Sequence, residues 1–162
     1  MKDWRSDRIA AALRGDNPMV IAHLSASFAV LGDTQFLPGY CVALTDRPGV
    51  QTLTDLPRAD RLSFLSDMEM LGEAVERVCS ARDPAFRRVN LEILGNTDGM
   101  LHAHVWPRYG WEPPNLVGMP VWLYLPNRWT DEKWHANSAH QEIKQQITTV
   151  LDVLPRDVVN AG

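Results

Sequence analysis

Apolar residues recur along the chain at two spacings, and the change from one to the other marks the elements. Across residues 57–81 Leu62, Leu65, Met68, Leu71, Val75 and Val78 fall three or four apart, as on one buried helix face. Thr54 or Asp55 can cap this helix, Pro57 falls near its first turn, and Asp83-Pro84 closes it. A last amphipathic helix is predicted from near Asp131, with Ile143, Ile147, Val150, Leu151 and Leu154 along one side. Residues 3–14 read as a short helix that Gly15 and Pro18 end.

Elsewhere the spacing is that of strands. Residues 19–24 and 27–31 read as a hairpin turning at Ser25, and 40–45 as a third strand after the Gly32-Asp33-Thr34 and Pro38-Gly39 turns. In 88–95, Val89, Leu91 and Ile93 alternate with Asn90, Glu92 and Leu94, the pattern of a half-buried strand. A Gly-Asn-Thr-Asp-Gly turn then feeds a strand over 100–108. Residues 109–129 are loop-rich, with Pro113, Pro114, Pro120 and Pro126, and 121–125 as a short strand. Short links between successive strands imply antiparallel pairing, so the expected class is α+β: about five antiparallel strands with helices packed on one face.

Composition bounds the picture. The 162 residues are 45% hydrophobic and 22% charged, which suits one globular domain over 1–162 and excludes a disordered or collagen-like chain. A chain of this length buries about 70% of its unfolded surface and needs no disulfide or metal staple. Sixteen basic residues against 20 acidic give a net charge of −4, which argues against a nucleic-acid partner but leaves room for a small phosphate ligand. Cys41 and Cys79 sit in apolar stretches, as buried thiols of a reducing cytoplasm would. The opening residues mix charged and apolar types and no window is apolar enough for a membrane span, so a cytoplasmic protein is expected.

The chemistry concentrates in Asn96-Thr97-Asp98-Gly99-Met100-Leu101-His102-Ala103-His104-Val105-Trp106-Pro107-Arg108. On a strand His102, His104, Trp106 and Arg108 share one face, while Leu101, Ala103 and Val105 belong to the core. The turn before it, with Asn96, Thr97 and Gly99, supplies backbone N–H groups and short polar side chains as an anion cradle. Two imidazoles, a guanidinium and an amide nest suit phosphoryl or nucleotidyl transfer through a histidine.

The segment HAHVWPRY resembles the signature of the histidine triad superfamily of nucleotide hydrolases and transferases, His-x-His-x-His followed by apolar residues and often Pro-Arg. The Asn96 turn, the Pro38-Gly39 turn before a strand and the long helix between them fall in the family's order. The resemblance covers residues 19–108, and the tail segments YGWEPP and PVWLYLPNRW, within 109–154, are similar to bacterial members labelled diadenosine tetraphosphate hydrolases. It implies a nucleophile at His104, the middle histidine, with His102 orienting it and contacting phosphate. It further implies Asn96 on the nucleophile region or the phosphate-ribose, and Asp33 on the ribose. Arg108 would hold phosphate. Trp106 stands at the third histidine, and Tyr40, read as structural, stands where a histidine often follows the Pro-Gly turn. Uridylyl transferases of the superfamily also lack the third histidine. The implied reaction passes through a nucleotidyl-histidine on a dinucleoside polyphosphate or nucleoside phosphoramidate. It needs no cofactor, although Mg²⁺ can accompany a polyphosphate. A homodimer of the 18.3 kDa chain is implied as well.

Other readings stay open. The protein could bind a nucleotide with little turnover, since Trp106 cannot shuttle a proton. The two histidines could be a satisfied polar pair at a sheet edge, or could share a metal ion, although Arg108 would oppose one. His23 reads as a core histidine, and His135 and His140 as surface residues of the last helix. Of five tryptophans crowded into the last third, Trp106 or Trp111 is the candidate to stack on a base or close the site, while Trp122 and Trp134 read as core.

Overall fold

The computed structural model describes residues 3–155. A 3-10 turn over Trp4–Asp7 runs into α1 (Arg8–Arg14). The hairpin β1 (Val20–His23) and β2 (Ser27–Leu31) follows, then β3 (Cys41–Thr45), α2 (Arg58–Arg82), β4 (Phe86–Glu92) and β5 (His102–Tyr109). A short α3 (Asn127–Thr130) and α4 (Gln141–Val153) complete the chain. The five strands form one antiparallel sheet in the order β1-β2-β3-β5-β4, so α2 and β4 are crossed over to insert β5 beside β3. That crossover lays β5 in the middle of the sheet. All eight of its residues are buried.

One face of the sheet carries Ala29, Leu31, Cys41, Ala43, Ala103 and Val105 against α2, with Ile143, Ile147 and Leu151 of α4 in the same core. α2 buries Leu71, Val75 and Val78 as expected, together with Phe64, Asp67, Met70, Ala74 and Cys79. The expected stripe fails at its start, where Phe64 and Asp67 turn inward and Leu62 is 38% exposed. Asp67 takes a core position because it ties the hairpin down, accepting from Ser25 N (3.2 Å), Ala26 N (2.7 Å) and Ser27 Oγ (2.8 Å). At the next turn Gly39 lies in the left-handed region (φ 96°), and a β-carbon there would run into Cys79 Sγ of α2. Cys41 and Cys79 are both free and buried.

The first helix departs from the one-faced arrangement. Ile9 and Ala12 of α1 pack on Phe28, Val30 and Leu44, side chains of the opposite face of the sheet. Two other expectations change in the last third. Residues 121–125 form a 3-10 turn at Val121–Leu123 instead of a strand, between two prolines that have no N–H for a ladder. The final helix begins at Gln141, ten residues later than expected, after separate turns at Glu132–Trp134 and Ser138–His140. Among the described residues no helix is long and apolar enough to cross a membrane.

Candidate active site

β5 places His102 and His104 side by side, opposite Leu44 and Val42 of β3. Their Nε2 atoms are 3.1 Å apart and the rings stand at 84°. His102 Nδ1 lies 2.7 Å from the Met100 carbonyl oxygen, and His104 Nδ1 lies 2.7 Å from the Tyr40 hydroxyl. These partners fix the tautomers of the neutral pair. A carbonyl only accepts, so His102 Nδ1 carries the proton and its Nε2 holds a lone pair. His104 Nε2–H therefore donates to His102 Nε2, and His104 Nδ1 accepts from Tyr40 O–H. The chain of donors runs one way, from Tyr40 through His104, and ends on the Nε2 lone pair of His102.

The electrostatics agree with that direction. Burial lowers the His104 pKa to about 4, with a further push from His102, so this imidazole is neutral at ordinary pH. Burial holds the Tyr40 phenol well above its usual range, and neighbouring Asp33 adds to the shift. Tyr40 thus stays a donor.

Both histidines line a cleft of about 540 Å³. Its floor is the apolar sheet face of Val30, Val42 and Leu44. One rim is the turn of Asn96, Thr97 and Asp98, all exposed, and the other is Trp4 and Arg8 from the start of the chain. Trp122 and Trp129 close the end beside His104. Trp122 meets the His104 ring edge-on at 4.8 Å, stacks on Trp129 at 5.6 Å and donates its indole N–H to Glu92 (2.8 Å).

Several residues serve differently from what the sequence suggests. Arg108 is withdrawn from the cleft: only 3% exposed, its guanidinium forks onto Glu112 (2.8 and 3.0 Å) and also donates to Asn90 and to the carbonyls of Leu116, Val117 and Met119. Every donor direction is taken by the 109–124 segment and β4, so it pins that segment and has no N–H to offer a phosphate. Trp106 is fully buried with Tyr40 stacked on it at 3.4 Å and 6°, which leaves no face for a base. Its indole N–H has no partner among the described residues. Gly99 is not part of the cleft wall and lies nearest Gln51. Asp33 does line the cleft, but both of its oxygens are taken by Arg8 (3.1 and 2.6 Å).

Outside the motif, His23 is exposed, stacked on Phe28 and paired with Asp46 at 3.0 Å, so it is not a core residue. Trp122, read as core, is 40% exposed and faces the cleft. Trp111 is 49% exposed, stacked on Tyr109 away from the histidines. Sequence reasoning passed over Tyr40 and Arg8. The only sign of Tyr40 was its place after the Pro-Gly turn, and Arg8 sits on a helix with nothing to link it to Asp33. No group of three or more His, Cys, Asp or Glu side chains among the described residues could hold a metal ion.

No protein-family model and no curated protein sequence matches the chain. Solved structures do. A histidine triad protein from Marinobacter aquaeolei VT8 superposes with a TM-score of 0.66 at 19% identity, over 84% of this chain and 90% of that one. One from Sinorhizobium meliloti 1021 gives 0.66 at 17%, over 81% and 87%. A hypothetical histidine triad nucleotide-binding protein from Sulfolobus tokodaii strain7 gives 0.60 at 12%, over 94% and 96%. At such identities the likeness concerns the backbone, and the backbone of this chain has the histidine triad fold.

Proposed function

We propose that the protein is a nucleotide hydrolase or nucleotidyl transferase, acting at the α-phosphorus of a dinucleoside polyphosphate or a nucleoside phosphoramidate, with His102 as the attacking imidazole. The observation that carries this reading is the one-way hydrogen-bond chain ending on His102 Nε2 in a walled cleft. The nucleotide-binding description of the Sulfolobus protein supports the ligand class.

The attacking role moves from His104 to His102. Both nitrogens of His104 are engaged, one accepting from Tyr40 and one donating to His102, whereas His102 holds the lone pair. With His102 as the middle residue, the three motif positions fall on Met100, His102 and His104, and Trp106 lies beyond them.

In the reaction His102 Nε2 bonds to phosphorus as the bond to the leaving oxygen or nitrogen breaks. The leaving group departs with that electron pair and takes up a proton from solvent. The imidazolium so formed keeps its Nδ1–H on the Met100 carbonyl, which disperses the positive charge. His104 Nε2–H, released from His102, turns to the phosphoryl oxygen where negative charge grows. Water then attacks phosphorus, the electron pair returns to Nε2, and the surplus proton goes to solvent. The reaction needs no cofactor. Mg²⁺ would accompany a polyphosphate, whose charge the paired Arg8 and Asp33 leave unmatched.

The test is incubation with diadenosine tetraphosphate and with an adenosine phosphoramidate, followed by intact-protein mass after rapid quenching. Wild type and His104→Ala should both carry a nucleotidyl adduct, and His102→Ala none. An adduct lost only in His104→Ala would return the nucleophile to His104. A binding module with little turnover is the second reading, favoured by neutral His104, which has no spare proton to give. Calorimetric binding without product from wild type would select it.

We also propose a homodimer through the outer strand β4 and α2, where Leu91 (42% exposed) and Leu62 (38%) are uncovered. Sedimentation as an 18.3 kDa species alone would reject it.

A further inference from the structure

Tyr40 lies outside the histidine strand, yet its hydroxyl reaches Nδ1 of His104, the ring nitrogen that faces away from His102. The ring is held in a slot. Trp106 covers one side at 3.4 Å, and a β-carbon at Gly32 would run into the ring itself. The backbone is clamped too: Gln35 Nε2 donates to the Tyr40 and Gly32 carbonyls, its Oε1 accepts from Gly39 N, and Gly32 N–H donates to the Tyr40 carbonyl, all at 2.9 Å. Phenylalanine would fill this slot equally well. What the slot achieves beyond packing is the aim of one O–H at one ring nitrogen.

We propose that Tyr40 is a positioning residue that fixes the His104 ring through Nδ1, so that Nε2–H points at His102 and, when a nucleotide is bound, at its phosphoryl group. The kinetic part rests on the nucleotide-transfer reading above, whereas the hydrogen bond does not. Without the hydroxyl, Nδ1 of His104 loses its donor while Nε2–H keeps its acceptor on His102, so the tautomer stays but the ring is no longer held on that line. A ring off that line gives a poorer hydrogen bond to the growing charge on phosphate. The slot also explains why bulky, fully buried Trp106 follows the histidines: it is the platform for Tyr40.

The experiment is nitrogen NMR of ¹⁵N-histidine-labelled protein without ligand near pH 7. In wild type, His104 should show a protonated Nε2 and an unprotonated Nδ1. Tyr40→Phe should leave Nε2 protonated and move the Nδ1 signal toward that of a ring nitrogen with no donor. Gly32→Ala, which keeps the hydroxyl but displaces the ring, should do the same. Wild-type nitrogen shifts retained in Tyr40→Phe would overturn the proposal. With a substrate that wild type turns over, Tyr40→Phe should lower kcat about ten- to a hundredfold, leaving KM within about twofold. A KM rise at unchanged kcat would overturn the kinetic part. Should wild type turn over nothing, the transfer reading fails, and the nitrogen shifts still decide the role of Tyr40.

Discussion

Tyr40 and Trp106 lie 3.4 Å apart with their rings 6° from parallel, and through this stack the loop before β3 is locked to the middle of β5. The Tyr40 hydroxyl then meets His104 two residues before Trp106. The pair joins two positions that the sequence treats as unrelated departures from a motif. Each residue makes sense only beside the other.

His104 couples this network to acid. Its pKa is depressed in the folded chain to about 4, against an unfolded value near 6.5. The unfolded chain therefore binds the extra proton between those values, and stability falls as pH is lowered from about 6.5 to 4, by about 3 kcal/mol in all. Urea midpoints of wild type and His104→Gln, taken at intervals from pH 4 to 7, should converge toward the acid end. Parallel curves would mean that His104 is no harder to protonate when folded.

Arg108 and Glu112 form a pair whose side chains are 4% and 0% exposed. Removing the guanidinium leaves a buried carboxylate without its counter-charge, which costs roughly 3 kcal/mol or more. Arg108→Gln should therefore lower the urea midpoint sharply, while the protein that remains folded binds nucleotide within about twofold of wild type. Unchanged stability with lost affinity would restore Arg108 to the ligand.

Asp67 offers a contrast within α2. Asp67→Ala strips the acceptor from two backbone N–H groups and the Ser27 hydroxyl, and should cost roughly 2 to 4 kcal/mol. Leu62→Ala, one and a half turns earlier and partly exposed, should cost well under that. Thermal melts of the two variants check the order.

Trp122 stands 4.8 Å from the His104 ring with 40% of its surface open. Ligand entering the cleft should change its fluorescence, and Trp122→Phe should remove most of the signal change while leaving a measurable affinity. A signal that survives in Trp122→Phe would assign the change to Trp4 or Trp129.

Period and punctuation carried most of the fold. The β1–β2 hairpin, α2 and the HAHVWPRY strand follow from alternation, helical spacing and turn residues, because local sequence sets those features. The buried face at the start of α2 did not follow, since an aspartate on it is intelligible only once the hairpin it bonds is in place. The last third escaped for a related reason. Its order comes from a buried ion pair whose guanidinium also gathers carbonyls of the segment, and from Trp122 and Trp129 stacking over β5, and neither leaves a periodic trace. At the site, strand alternation gave the shared face of His102 and His104. The division of labour between them required their outer partners, a main-chain carbonyl and a tyrosine sixty-four positions away.

The cleft draws its walls from segments far apart along the chain: Trp4 and Arg8 before the first strand, the histidines on β5, and Trp129 after the last strand. A ligand seated there acts as a noncovalent staple between the segment that precedes the sheet and the one that follows it. No fragment that lacks either segment holds a complete cleft, and occupancy should slow amide exchange in both together.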